Sequence, residues 1–307
     1  MSVAGLAEEL DRLVAEARGA GNWGRPADYI PELAKVDPAQ VGVAICLADG
    51  TELGAGEADT RFSIQSISKV FSLAAVLGRL GDDLWRRVGR EPSGTAFDSV
   101  FLLEHENGRP RNPFINAGAL VTTDALLGGR EPRQALSEIM HLVRAAAEDD
   151  DIHIDRAVAD SEKATASRNM ALLYYLQSHD NLLNPPEMVM GTYAHQCAIE
   201  MTCRQLARAG RMLAMLPGVP AMISPLRARR INALMMTCGQ YDGSGNFAFR
   251  VGLPGKSGVG GGILLVAPGV ASIAVWSPGL DGYGNSQVGT WLAERIAGYT
   301  GWSVFAP

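Results

Sequence analysis

Residues 63–80, SIQSISKVFSLAAVLGRL, place Ile64, Ile67, Val70, Phe71, Ala74 and Leu77 at helical spacing and stop at Gly81. The stretch predicts a helix with one apolar face. Ser66 and Lys69 stand three residues apart in its first turns, which puts a hydroxyl and an amine on one face, one turn apart. A serine hydroxyl attacks only when a base takes its proton. A lysine can be that base only where burial or a nearby cation pulls its pKa well below about 10.4. The start of a helix adds free N–H groups and partial positive charge, both suited to a developing oxyanion. Alone, Ser-x-x-Lys is a common spacing, and a helix start routinely holds a capping serine, a part that Ser63 fits.

Strand patterns flank this helix. Val41–Ala48 meets Asp49-Gly50 and continues at Thr51–Gly54, which reads as a hairpin. Helical spacing then dominates to about residue 240, at Ala117–Leu127, Arg133–Ala147, Ser167–Gln177, Thr202–Leu213 and Pro225–Cys238. Strand patterns return at Phe247–Val251, Ile263–Ala267 and Ala271–Trp276, before a last helix near Gln287–Tyr299. The expectation is an α+β fold: one antiparallel sheet built from both chain ends, flanked by helices, with an inserted helical lobe and a cleft between the two. We read one catalytic domain over 1–307, its sheet lobe at about 1–80 plus 245–307 and its helical lobe at about 81–244. Lys256-Ser257-Gly258 falls on a strand-like segment beside that cleft. Ser-x-x-Lys followed much later by Lys-Ser/Thr-Gly is the arrangement of serine acyl-transfer enzymes of the β-lactamase class. As a bland alternative, the triplet is a turn with a solvated lysine.

Composition narrows the classes. Hydrophobic residues at 47% and charged residues at 20% are those of an ordinary globular chain. A net charge of -6 without a basic cluster points away from nucleic acid. The uncharged stretch between Lys256 and Asp281 is broken by Gly260, Gly261 and Gly262 and by Pro268-Gly269 into runs too short to span a membrane. Residues 1–20 fit an amphipathic helix and lack the apolar run of a signal peptide, so a cytoplasmic protein is expected. Cys46, Cys197, Cys203 and Cys238 have no zinc-ligand spacing and read as buried thiols, and the five histidines form no metal motif; no metal or cofactor is expected. The glycines at 258–262 precede a strand and complete no phosphate-binding loop.

Glu162 and Asn169 would lie two turns apart on one face of a helix, where a carboxylate can hold an ammonium and an amide can hold a carboxylate. By the residues alone, a solvated acid and a helix-starting asparagine are the expected reading. Tyr29, Tyr193 and Tyr241 read as partly buried aromatics with wet hydroxyls.

Several motifs in order change these weights. The chain carries ADYIPELA at 27–34, QSISK at 65–69, NPFINAGA at 112–119, Ser161-Glu162 with Arg168-Asn169, GQYD at 239–242 and LPGKSGV at 253–259. Over nearly its whole length it resembles the serine-dependent glutaminases, most closely the short bacterial ones. The resemblance implies a β-lactamase/transpeptidase-like fold and hydrolysis of L-glutamine to L-glutamate and ammonia. It implies Ser66 as nucleophile and Lys69 as base, with the N–H groups of Ser66 and Val259 as oxyanion hole. Tyr29, Gln65, Asn116, Glu162, Asn169, Tyr193 and Tyr241 match glutamine-contacting positions, and Tyr241, in contact with Lys69, would relay a proton to the leaving nitrogen. A homodimer or homotetramer is implied too. Two other readings remain at this point: a β-lactamase or D-Ala-D-Ala peptidase, and a non-catalytic amino-acid sensor of the same fold.

Overall fold

The computed structural model describes all residues except Met1, Asn22, Pro220 and Pro307. The chain opens with α1 (Val3–Ala20), β1 (Gly42–Leu47), β2 (Glu52–Gly56), β3 (Phe62–Ser63) and α2 (Ser68–Leu80). The helical stretch comprises α3 (Val100–His105), α4 (Asn116–Leu127), α5 (Pro132–Ala147), β4 (His153–Ile154), α6 (Arg156–Ala164), α7 (Ser167–Ser178), α8 (Pro186–Cys197), β5 (Ile199–Met201), α9 (Cys203–Ala214) and α10 (Pro225–Cys238). It ends in α11 (Ser244–Val251), β6 (Gly255–Ser257), β7 (Gly262–Ala267), β8 (Ala271–Trp276) and α12 (Gln287–Thr300).

The main sheet has the order β2-β1-β8-β7-β6 and is antiparallel throughout. Strands from the two chain ends meet at its centre, with Ile45 opposite Ile273 and Val43 opposite Val275. Alternation along each strand divides the core. Val43, Ile45, Ile263, Leu265, Ile273 and Val275 face α1, α11 and α12 on one side. Ala44, Cys46, Leu264, Val266, Ala274 and Trp276 belong to the other, larger core, which continues into the helices. The closest helix on that side is α9, where a Cβ at Gly210 would come within 2.1 Å of Ser272 Oγ, so only glycine permits the approach. Deeper still, α2 runs between α4, α5 and α10, and its residues from Ser68 to Ala74 are all buried. Every residue of α4 is buried as well, in keeping with its lack of a polar face.

Several details depart from the sequence-based expectation. Phe247–Val251 is helical rather than a strand: Phe247 and Val251, four residues apart, are buried, and Phe249 between them is 90% exposed. A second sheet, β3-β5-β4, ties the start of the α2 region to the end of α8 through Phe62 opposite Met201 and Ser63 opposite Glu200. Ser63 therefore lies in a strand and caps no helix; its Oγ donates to the carbonyl of Cys197 at 2.9 Å. Ser66 belongs to a 3-10 turn, Gln65–Ile67, that leads into α2. Glu162 and Asn169 sit on two helices, α6 and α7, because the chain breaks at Thr165 and Ala166. The four cysteines are free and buried.

Candidate active site

A cavity of about 320 Å³ opens where the Ser66 turn, the loop after β6 and helices α4, α6, α7 and α8 converge. Tyr29, Gln65, Ser66, Asn116, Glu162, Asn169, Tyr193 and Val259 all line it. Residues far apart in sequence are thus brought to one space small enough for an amino acid.

The turn that carries Ser66 is held under strain. Gln65 has φ 48 and Tyr241, in the turn before α11, has φ 53; both non-glycine residues are left-handed, a conformation that persists only where surroundings enforce it. The enforcing contacts are close. A Cβ at Gly258 would lie 2.5 Å from the carbonyl of Ile64 and 3.3 Å from Ser66 N, and one at Gly260 would lie 2.3 Å from the carbonyl of Ser63. Two glycines thus let the loop press against the Ser66 turn, and Val259 between them lines the same cavity as Ser66. No backbone carbonyl accepts from the N–H of Ser66 or of Val259 among the described residues. Two free donors, one on the Ser66 turn and one on the loop after β6, suit an oxyanion. We expect Gly258→Ala to push the two turns apart and lower kcat/KM on the order of 10²-fold, with a native circular-dichroism spectrum. Wild-type kinetics from this variant would show that the close approach is dispensable.

Lys69 is buried and bonds to two acceptors, Asn116 Oδ1 at 2.8 Å and the carbonyl of Phe114 at 3.1 Å. Burial pulls its pKa down to about 8, with weak opposition from Cys197, Glu162 and Asp98. An uncharged amine has two N–H donors and one lone pair. Two acceptors satisfy the donors, so the lone pair is left for a proton from elsewhere. Asn116 also donates to Asn169 Oδ1 at 3.0 Å and accepts from the Tyr193 hydroxyl at 3.5 Å, which links the lysine to the pocket wall.

Glu162 is 9% exposed, and burial raises its carboxyl to about 7, with Lys69 pulling the other way. Its Oε2 is buried without a hydrogen-bond partner. Such an orphan is costly unless a cationic ligand completes it.

Tyr241 differs from expectation. Its hydroxyl donates to the carbonyl of Ser257 at 3.5 Å with Ser66 nearby, and, unlike the other residues expected to contact glutamine, Tyr241 is not among those that line the cavity. The lysine against its ring is Lys256, 4.7 Å from the ring centre, not Lys69. Burial raises the phenol pKa, so the proton stays on. Lys256 itself is fully buried rather than solvated.

Two parts of the site carry no sequence signal of their own. Phe97 packs on Tyr241 with ring centres 4.7 Å apart and its carbonyl accepts from Asn116 N at 2.8 Å. Asp98 pairs with Arg168 at 2.9 Å on the cavity wall. Residues 70 apart announce no such pairing.

The model of the Glutaminase family matches residues 24–305. The chain belongs to the glutaminase family. A glutaminase of Rhizobium johnstonii is 57% identical over 307 residues, 99% of each chain, and a protein of Rhizobium etli described as a thermolabile glutaminase is 56% identical at the same coverage. Among solved structures, one described as probable glutaminase ybaS superposes with a TM-score of 0.94 at 36% identity over 100% of both chains. A probable glutaminase from Bacillus subtilis complexed with 6-diazo-5-oxo-L-norleucine gives a TM-score of 0.88 at 34% identity over 97% of both chains. The family's fold is the α+β arrangement described above. No helix among the described residues is long and apolar enough to cross a membrane.

Proposed function

We propose that this glutaminase-family chain hydrolyses the side-chain amide of L-glutamine through a γ-glutamyl ester on Ser66. The observation that carries the reading is the unpartnered, buried Glu162 Oε2 in the same cavity as Ser66, which faces free backbone donors. The cavity offers an anion for the substrate ammonium, the amides of Asn116 and Asn169 and the hydroxyls of Tyr29 and Tyr193 for its carboxylate, and a nucleophile for its amide carbon. Gln65 joins the wall beside Ser66.

Lys69 takes the proton as Ser66 Oγ bonds to the amide carbon, and the N–H groups of Ser66 and Val259 hold the oxyanion. The C–N bond breaks as nitrogen receives a proton, relayed by the Tyr241 hydroxyl beside Ser66, and ammonia leaves. Water then cleaves the ester by the reverse proton path, and glutamate departs. The diazo-norleucine complex of the Bacillus subtilis protein supports a pocket for this substrate skeleton, and the crystal form described as a glutamate form of Mglu, 35% identical with a TM-score of 0.92, supports the product. Assembly as a homodimer or homotetramer belongs to the same reading and rests on the resemblance, whereas a cytoplasmic location and a two-lobed single domain rest on the N-terminal pattern and on the order of strands and helices.

The test offers purified chain L-glutamine, L-asparagine and a chromogenic β-lactam, following ammonia and ring opening. Ammonia from glutamine is expected. Ring opening would favour the β-lactamase reading instead, and glutamine binding without turnover would favour the sensor.

A further inference from the structure

A second cleft, of about 390 Å³, opens where the end of α9, helix α10, the turn between β7 and β8 and the C-terminal residues meet. None of the residues that line it lines the Ser66 cavity. Its wall is largely apolar, with Leu213, Met215 and Met236 from the helices and Phe305 from the chain end. Phe305 is 69% and Met215 42% exposed, so large apolar side chains stand open to water there.

Two polar side chains interrupt this wall, and each has an unmet need. Arg229 is exposed and pairs with no carboxylate among the described residues, whereas the next residue, Arg230, holds Asp82 at 2.6 Å. Asn232 is 9% exposed; its Nδ2 donates to the carbonyl of Leu213 at 2.9 Å, but its Oδ1 is buried without a hydrogen-bond partner. A buried acceptor left unpaired is costly, so a ligand that brings a donor gains there. Arg229 and Asn232 stand three apart on α10 and are neighbours on one face, with Cβ atoms about 5–6 Å apart. Met236 continues that face one turn on. A cation beside an acceptor, followed by an apolar wall, complements a molecule whose carboxylate adjoins an ammonium and whose tail is apolar. No acid lines the cleft, so a bare amine would find no counter-charge there and must bring its own carboxylate.

We propose that this cleft is a second ligand site, for an α-amino acid with a large apolar side chain: Arg229 takes the carboxylate, Asn232 Oδ1 accepts from the ammonium, and Leu213, Met236 and Phe305 enclose the side chain. The two sites select different amino acids. The Ser66 cavity sets a carboxylate, Glu162, and the amides of Asn116 and Asn169 in its wall, whereas this one offers mostly hydrocarbon and sulfur beyond its polar pair.

The experiment is titration calorimetry on the full chain with L-leucine and L-phenylalanine. L-alanine, 4-methylpentanoate and 3-methylbutylamine serve as probes that lack the apolar tail, the ammonium and the carboxylate in turn. Expected is a Kd of about 1 mM or tighter for leucine or phenylalanine, with each of the three probes weaker by about 10-fold or more. Arg229→Gln, a change at an exposed side chain that holds no other group, should weaken leucine by about 10-fold or more. Equal affinity for leucine and any of the three probes, or leucine binding unchanged in Arg229→Gln, would overturn the proposal. So would absence of binding at about 20 mM, well above the expected Kd; if Phe305→Asp then splits a wild-type oligomer in sedimentation, the occupant is a second copy of this chain. The readout is binding alone, so it stands or falls apart from glutamine turnover.

Discussion

Replacing Ser66 by alanine removes glutamine turnover and leaves a folded chain that still binds substrate. The residue is 7% exposed, and its loss deletes one oxygen from the cavity wall without opening the core. The groups placed at the amino-acid end, Glu162, Asn116 and Asn169, are untouched. Loss of a nucleophile that works with a base as one unit costs on the order of 10⁴–10⁶ in kcat. Calorimetry should give a glutamine affinity within a few-fold of wild type, and the melting temperature should barely move. Turnover near the wild-type rate would remove Ser66 from the chemistry.

Glu162→Gln should do two opposite things. Binding weakens, because the substrate ammonium loses the one anion that the described residues place in the pocket wall besides the Arg168-paired Asp98. A broken buried charge pair costs roughly 2–5 kcal/mol, so KM should rise on the order of 10²-fold or more. Stability improves, and the sign follows from the titration. The folded carboxyl titrates at about 7, above the ordinary 4.5. Between those values the unfolded chain has already lost the proton that the folded chain keeps, so stability drains away as pH rises through this window. Glutamine carries no such penalty. At pH 8 the variant should be more stable by up to about 3 kcal/mol, a difference that vanishes below about pH 4.5. Equal melting curves at pH 8 would show that the carboxylate is already compensated. For the wild type the same carboxyl makes KM rise as pH falls through about 7, while Lys69, at about 8, lowers kcat over the same range.

Much of this was legible in residue order, for definite physical reasons. The Ser66–Lys69 spacing was legible in the sequence but the break between them was not: Ser66 lies in a 3-10 turn ahead of α2, and the hydrogen bonds of Lys69 Nζ run to Asn116 and Phe114 and not to Ser66. The main sheet was legible because β7 and β8 are mostly apolar runs separated by Pro268-Gly269. By contrast, β4 and β5 hold two and three residues, too few to show any period. Phe247–Val251 carries apolar residues at both strand and helix spacing, and burial of its two ends decided for helix. The left-handed Gln65 and Tyr241 gave no sign, since neither is glycine. Lys256 was placed on a strand beside the cleft by its motif, but its full burial was not legible, because it comes from the packing of Phe114 and Tyr241 around it.

One measurement bears most directly on the chemistry. Wild-type chain is mixed with L-glutamine, quenched in acid within the first turnover, and examined by intact-mass and peptide-mapping mass spectrometry. The account predicts a covalent γ-glutamyl adduct on the peptide that carries Ser66, absent from Ser66→Ala. Ammonia released in that first turnover with no adduct on the chain, or an adduct on another residue, would contradict it.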